Sequence, residues 1–283
     1  MSRPLWKNEQ VPELPEIEVL RRSLEPRLRG RRIVDVAVHS PALREPLDRR
    51  RLSKLAGRRI ERLGRRSKYL LVEVEGEETL VVHLGMSGRL TLAPAAAAPE
   101  AHEHLTLALD ADEKLRLRDP RRFGLAFVAR TKRLERDPHF RHLGLEPLAG
   151  ELDGERFTAL AAGRRGPVKS FLMDGRLVVG VGNIYATEAL HRAGIHPARS
   201  VARIGRERWQ RLAGAVIEVL EQAIREGGTT LNDFADGEGR EGEFQISLGV
   251  YGRDGEECPR CGGIVRRIVQ AGRSSFYCAG CQR

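Results

Sequence analysis

No cysteine precedes Cys258, and the four that exist all lie between there and Arg283. Such confinement excludes a disulfide framework spread over the chain. In a reducing compartment clustered thiols point to a metal site instead. No run of about eighteen apolar residues occurs, so no helical membrane span is expected. Met1 to Gln10 lack the apolar stretch of a secretory signal, and a cytoplasmic, nucleoid-associated location follows by default. Lysine is scarce as well: of 49 basic residues only six are lysine. Genomic base composition can explain arginine in place of lysine, but not a net charge of +10. That balance favours a polyanionic partner, usually nucleic acid. The 31% charged fraction is broken everywhere by periodic apolar residues, which argues against bulk disorder. No long-period repeat is present.

A chain of 283 residues has room for two or three domains. Residues 15–29 read as a helix: Pro15 suits a first helical position, Ile17, Leu20, Leu24 and Leu28 recur at helical spacing, and Gly30 follows as a stop. Pro26 is expected to kink or shorten it. Short strands are predicted around 33–38, 58–63, 68–74, 79–84, 88–92, 104–109, 114–118 and 124–129, a series that suggests an antiparallel sandwich or barrel. Residues 94–99 read as a loop. Helices are predicted over 155–163, 167–173, 183–194 and 205–226, the last with a stripe of Leu212, Val216, Val219, Leu220 and Ala223. A Gly-rich, charged segment, 227–244, reads as a mobile loop.

Cys258 and Cys261, then Cys278 and Cys281, form two pairs, each with two residues between the thiols. Two such turns can complete a tetrahedral zinc site. No His, Asp or Glu lies between the pairs, so one structural Zn2+ is expected rather than an open catalytic metal. The stretches 264–269 and 274–277 look like two strands, which would form a hairpin that the metal staples. Arg266, Arg267 and Arg273 make it basic.

Six segments carry a specific resemblance. They are Pro12-Glu13-Leu14-Pro15-Glu16, Arg65-Arg66-Ser67-Lys68-Tyr69-Leu70, Asp119-Pro120-Arg121-Arg122-Phe123-Gly124, Val179-Gly180-Val181-Gly182-Asn183-Ile184-Tyr185, Gly272-Arg273-Ser274-Ser275-Phe276-Tyr277 and the cysteine pairs. Together, and in this order from Pro12 to Arg283, they resemble the formamidopyrimidine-DNA glycosylase family. The resemblance implies an α+β multidomain fold: an N-terminal antiparallel β-sandwich, a helix-two-turn-helix domain and a C-terminal β-hairpin zinc finger. The expected boundaries are 12–135 for the sandwich with its leading helix, 136–150 for a linker, 151–230 for the helical domain and 231–283 for a lesion-capping loop and the finger. Residues 1–11 are expected to be a mis-assigned or processed extension, with translation starting at Val11.

The implied activity is excision of oxidised purines (8-oxoguanine and formamidopyrimidines) from double-stranded DNA by a monomer, followed by strand cleavage at the abasic site through β,δ-elimination. Pro12 would be the amine nucleophile, Glu13 the proton donor to the opening sugar, and Glu16 the residue that orients amine or water. Lys68 would serve elimination from a strand, and Arg273 would hold the flanking phosphate. His102, Arg121, Arg164, Lys169 and Asn183 would contact DNA. Met86, Arg121 and Phe123 would fill the gap left by a flipped base, and residues 232–244 would close over it. Plainer readings stand beside these: Glu13 and Glu16 complementing a helix N-terminus, Asn183 as an N-cap, Met86 and Phe123 as core. Two rival functions remain at this stage, an endonuclease VIII-type enzyme for oxidised pyrimidines and a non-catalytic binder of damaged DNA.

Overall fold

The computed structural model describes residues 12–228 and 247–283. The readings of a start at Val11 and of a capping loop over 232–244 lie outside those residues. The described residues form two compact units, one of 12–141 with Gly227 and Gly228, the other of 142–226 with 247–283.

The first unit opens with α1 (Leu14–Leu28) and continues through β1 (Ile33–Val38), the short helix α2 (Arg49–Ser53), β2 (Ile60–Arg66), β3 (Tyr69–Val74), β4 (Glu78–His83), β5 (Arg89–Pro94), β6 (Glu103–Leu109), β7 (Glu113–Arg118) and β8 (Leu125–Arg130). The strands form the two antiparallel sheets of the sandwich, ordered β1-β6-β7-β5 and β2-β3-β4-β8. Leu14, Ile17, Leu20, Leu24 and Leu28 lie on the buried face of α1, each at most 1% exposed. Burying one such side chain is worth roughly 2 kcal/mol. This stripe outweighs the loss at Pro26: the helix runs through that proline to Leu28 instead of ending before it. The chain crosses between the sheets three times, through residues 39–59, 84–88 and 119–124, and the two shorter crossings carry residues of the candidate site.

The second unit holds α3 (Gly154–Ala161), α4 (Val168–Leu172), α5 (Asn183–Ala193) and α6 (Arg206–Arg225). Its core brings Phe157, Phe171 and Trp209 together, with ring centroids 5.2–5.8 Å apart. The stripe predicted on α6 is buried throughout. Helices α4 and α5 are joined by residues 173–182. The unit ends in a two-stranded hairpin, β9 (Val265–Gln270) and β10 (Arg273–Cys278). Ala271 and Gly272 turn it with φ of +47° and +75°, the left-handed pair that matches strand twist.

Candidate active site and nucleic-acid interface

Pro12 and Glu13 precede the first turn of α1 and are buried. Glu16, fully buried, accepts the backbone N–H of Glu13 at 2.8 Å. The plainer expectation for Glu16, a helix-terminal acid, is therefore realised. It leaves a carboxylate held rigidly one turn from Pro12. A Cβ added at Gly228 would come within 3.3 Å of that carboxylate.

Lys68 is not on a strand as expected. β2 ends at Arg66 and β3 begins at Tyr69, so Ser67 and Lys68 form the turn between them, Ser67 with φ +55°. The turn frees the lysine from the pleat. Arg65 fastens it to α1: Nε donates to Glu18 at 3.3 Å and Nη1 to the Ser67 carbonyl at 2.9 Å. Burial alone would raise the Glu18 carboxyl. Hydrogen bonds from Arg21 and Arg22, with the charge of Arg65, overcome this and hold it below the ordinary value. The side chain of Glu18 thus links the helix that follows Pro12 to the turn that carries Lys68. Sequence reading did not single it out. Close by, burial together with Arg44 and Lys68 pushes His83 down to about 3. Its neutral ring accepts the Gly85 N–H through Nδ1 at 3.0 Å.

The two shorter crossings present three of the residues expected at DNA. Met86 is half-buried in the first; in the second, Arg121 is exposed and Phe123 is 46% exposed. The Arg121 guanidinium lies 5.2 Å from the Phe123 ring centroid, in cation–π range. Phe123 is thus not core, contrary to its plainer reading. His102 is exposed with φ +64°, whereas His104 is 2% exposed and interior.

In the second unit Arg164 is exposed and donates to the Leu160 carbonyl at 2.9 Å. Lys169 differs from expectation: it is 2% exposed, and Nζ donates to Asn183 Oδ1 (2.6 Å), the Ser274 carbonyl (3.0 Å) and Ser275 Oγ (2.7 Å). A buried ammonium needs such partners. Asn183 is the first helical residue, and Gly182 is the N-cap. Its amide nitrogen donates to Tyr251 Oη at 3.2 Å. Lys169 therefore joins α4, the start of α5 and the strand that begins at Arg273. Arg273 itself is exposed, directly after the hairpin turn.

The four cysteine sulfurs lie within 4.8 Å of one another. The Cys258–Cys281 and Cys261–Cys278 separations are 3.8 and 3.4 Å. Zinc–sulfur bonds of about 2.3 Å in a tetrahedron need sulfurs about 3.8 Å apart, so the set fits one zinc ion. A backbone hydrogen bond from Gly263 lowers Cys261 to about 7, whereas burial raises Cys278 and Cys281. Two unforeseen side chains anchor the module. His191 Nε2 lies 3.4 Å from Cys258 Sγ, and the buried Glu188 carboxylate accepts the backbone N–H groups of Gly249, Val250 and Tyr251 at 2.7–3.0 Å. Both lie on α5 among apolar neighbours, and nothing in their local pattern separates them from core-facing helix residues.

Residues 11–126 match the formamidopyrimidine-DNA glycosylase N-terminal domain, 143–235 the H2TH domain of the same enzymes and 255–283 the zinc finger found in FPG and IleRS. Formamidopyrimidine-DNA glycosylases of Cereibacter sphaeroides and Alkalilimnicola ehrlichii are 44% and 47% identical, each over 96% of this chain and the whole of the relative. A Lactococcus lactis Fpg solved with abasic-site DNA superposes with a TM-score of 0.88 at 34% identity, over 96% of this chain and 99% of that one. The same enzyme with DNA containing Fapy-dG gives 0.87 at 33% identity, over 96% and 100%. The three domain matches in order and the end-to-end identity place this chain in the formamidopyrimidine-DNA glycosylase family.

Proposed function

We propose that this protein excises oxidised purines from duplex DNA and then cleaves the strand, acting as a monomer in the cytoplasm, on the nucleoid. The observation that carries the reading is the pair of buried acids beside Pro12, 5% and 0% exposed, in a chain similar throughout to enzymes of that name. The two carboxylates also cap the start of α1, each accepting a backbone N–H there, which fixes them next to Pro12.

A Pro12 secondary amine attacks C1′ of the damaged nucleotide. The bond from C1′ to the base breaks, and the base leaves with a proton. Glu13 donates a proton to the sugar ring oxygen as the ring opens, and Glu16 fixes the backbone on which Pro12 sits. The resulting iminium acidifies the C2′ hydrogen. Loss of that proton expels the 3′ phosphate, and a second elimination expels the 5′ phosphate. Lys68 serves the proton transfers of elimination, and Arg273 holds the flanking phosphate. Asn183, His102 and Arg164 contact the DNA backbone. Lys169 acts from inside, setting Asn183 and the Ser274–Ser275 backbone. Met86, Arg121 and Phe123 occupy the space left by the extruded base. Cys258, Cys261, Cys278 and Cys281 would hold a zinc ion, which would staple the hairpin and supply no chemistry to the reaction.

The test is borohydride trapping on an 8-oxoguanine:C duplex, with protein whose N-terminal residue is confirmed by intact mass as Pro12. A covalent adduct mapping to Pro12, with both phosphates released on elimination, is expected. Base release with no trappable adduct would remove the amine mechanism. An amide nitrogen is not nucleophilic, so protein that keeps residues 1–11 should bind DNA without forming the adduct.

A further inference from the structure

The crossings at 84–88 and 119–124 are locked together beside the half-buried Met86 and the exposed Arg121 and Phe123. Gly85, with φ +64°, lies so close to the second crossing that a Cβ there would fall 2.4 Å from the Phe123 carbonyl carbon. A Cβ at Gly124 would meet the His83 carbonyl oxygen at 2.7 Å. Backbone packed this tightly leaves no room for a side chain at either glycine.

Polar groups in the same place reinforce the contact. Ser87, 5% exposed, donates from Oγ to Asp119 Oδ1 at 2.5 Å and accepts the Arg121 N–H at 3.1 Å. Asp119, fully buried, accepts the Gly124 N–H through Oδ2 at 2.7 Å. The Asp119 carbonyl can only accept, so the proton on His104 Nε2 points at it, at 2.9 Å. Ser40 Oγ lies 2.9 Å from the other nitrogen of that ring. Ser87 is thus a side chain of the first crossing that bonds to a backbone amide and a carboxylate of the second. Asp119 in turn holds the Gly124 amide, directly after Phe123.

A fully buried carboxylate is costly to the fold unless its hydrogen bonds are complete, and these bonds all serve the loop that ends in Phe123. An aromatic side chain left 46% exposed at the tip of such a loop enters a base stack with less loss of loop entropy when the loop is already ordered.

We propose that Ser87 and Asp119 are positioning residues that join Met86, Arg121 and Phe123 into one preassembled wedge. The inference rests on the function proposed above. It assigns these two residues to base extrusion and not to sugar chemistry. Loss of the Ser87 hydroxyl leaves the Arg121 amide and an Asp119 oxygen without their partner. The wedge then reaches the duplex loosely seated.

The experiment compares single-turnover base release from an 8-oxoguanine:C duplex with borohydride trapping on a pre-formed abasic duplex, where no base has to leave the stack. The proteins, each confirmed by intact mass to begin at Pro12, are wild type, Ser87→Ala, Asp119→Asn, Phe123→Ala and the Ser87→Ala/Phe123→Ala double variant, each with its unfolding temperature. Ser87→Ala and Asp119→Asn should slow base release about tenfold, the scale of a small misplacement, and leave abasic trapping within about twofold. Adding Ser87→Ala to Phe123→Ala should change base release less than about twofold, because residues that act through one unit are not additive. Equal slowing on both substrates, full additivity in the double variant, or no slowing at all would overturn the proposal. If wild type yields no adduct even on abasic DNA, the proposed function and this inference both fall; with wild-type trapping intact, only the inference is at risk.

Discussion

Arg273 and Phe123 are both exposed on DNA-facing candidates, yet their chemistry assigns them different work. Arg273 follows the hairpin turn and offers a charge to phosphate, which is the same on damaged and intact DNA. Arg273→Ala should weaken binding to both duplexes alike and lower the salt slope by about one. Phe123 offers a ring to the base stack. Phe123→Ala should reduce discrimination between lesion and intact DNA and leave the salt slope unchanged. Titrations at several salt concentrations check both, and identical behaviour of the two variants on intact DNA would contradict the division. Lys169 adds a different case. Its ammonium is bonded to Asn183, Ser274 and Ser275, so Lys169→Met should lower the unfolding temperature as well as DNA affinity, whereas Arg273→Ala should lower affinity alone. A Lys169→Met protein as stable as wild type would argue against the interior role.

Among the elements, α1 is held at both ends. Its start is tied to the Lys68 turn through Glu18 and Arg65. Beyond its end, Arg31 donates to Asp110 at 2.6 Å and to Glu113 at 3.0 Å, at the β6–β7 turn. The hydrogen bonds from Arg31, first among the causes, hold both carboxyls below their ordinary values. A carboxylate with a lowered folded pKa contributes stability that is complete above its unfolded value and lost as the pH falls through the lowered one. The difference in unfolding temperature between wild type and Arg31→Ala should therefore be full at neutral pH and shrink below about pH 4, near the unperturbed carboxylate range. Both groups are solvated, so the effect is small. A pH series of thermal melts checks it, and a constant difference down to pH 2 would show that the pairs do not stabilise the helix.

For the whole molecule, the zinc finger is the part whose folding depends most on something outside the chain. Small metal-stapled hairpins bury too little apolar surface to fold alone, and metal binding contributes directly to their folding. The protein should contain about one zinc per chain. Cys261→Ser should lose the metal together with DNA affinity, measured by metal analysis and by binding to a lesion duplex. Full affinity in metal-free protein would show that the hairpin holds its Arg side chains without it. His191 and Glu188 also fasten this module to α5. Part of the fold around Val250 and Tyr251 is therefore expected to survive metal loss, and hydrogen exchange at those amides would show it.

Periodicity, glycines, prolines and cysteines are local signals, and they were enough to locate α1, α3 to α6, the ten strands among the described residues and the metal ligands. Each such element is specified by its own residues: the leucine stripe of α1, the alternation in β6 and β7, the two-residue spacing of the thiols. The motifs likewise pointed to Pro12, Glu13, Lys68 and Phe123, because their neighbours in sequence are distinctive. Helix α2, five residues long with a single buried side chain, has too little periodicity to be seen. What tertiary structure alone decided is which polar side chains meet. Ser87 and Asp119 are 32 positions apart and touch only because the two shorter sheet crossings lie side by side. Lys169 reaches Ser275 across 106 positions, so a lysine that looks like a DNA contact becomes an interior tie. Hydrogen bonds between distant residues leave no periodic trace, since one donor and one acceptor suffice and neither constrains its sequence neighbours. Burial decides such roles, and burial belongs to the packed molecule.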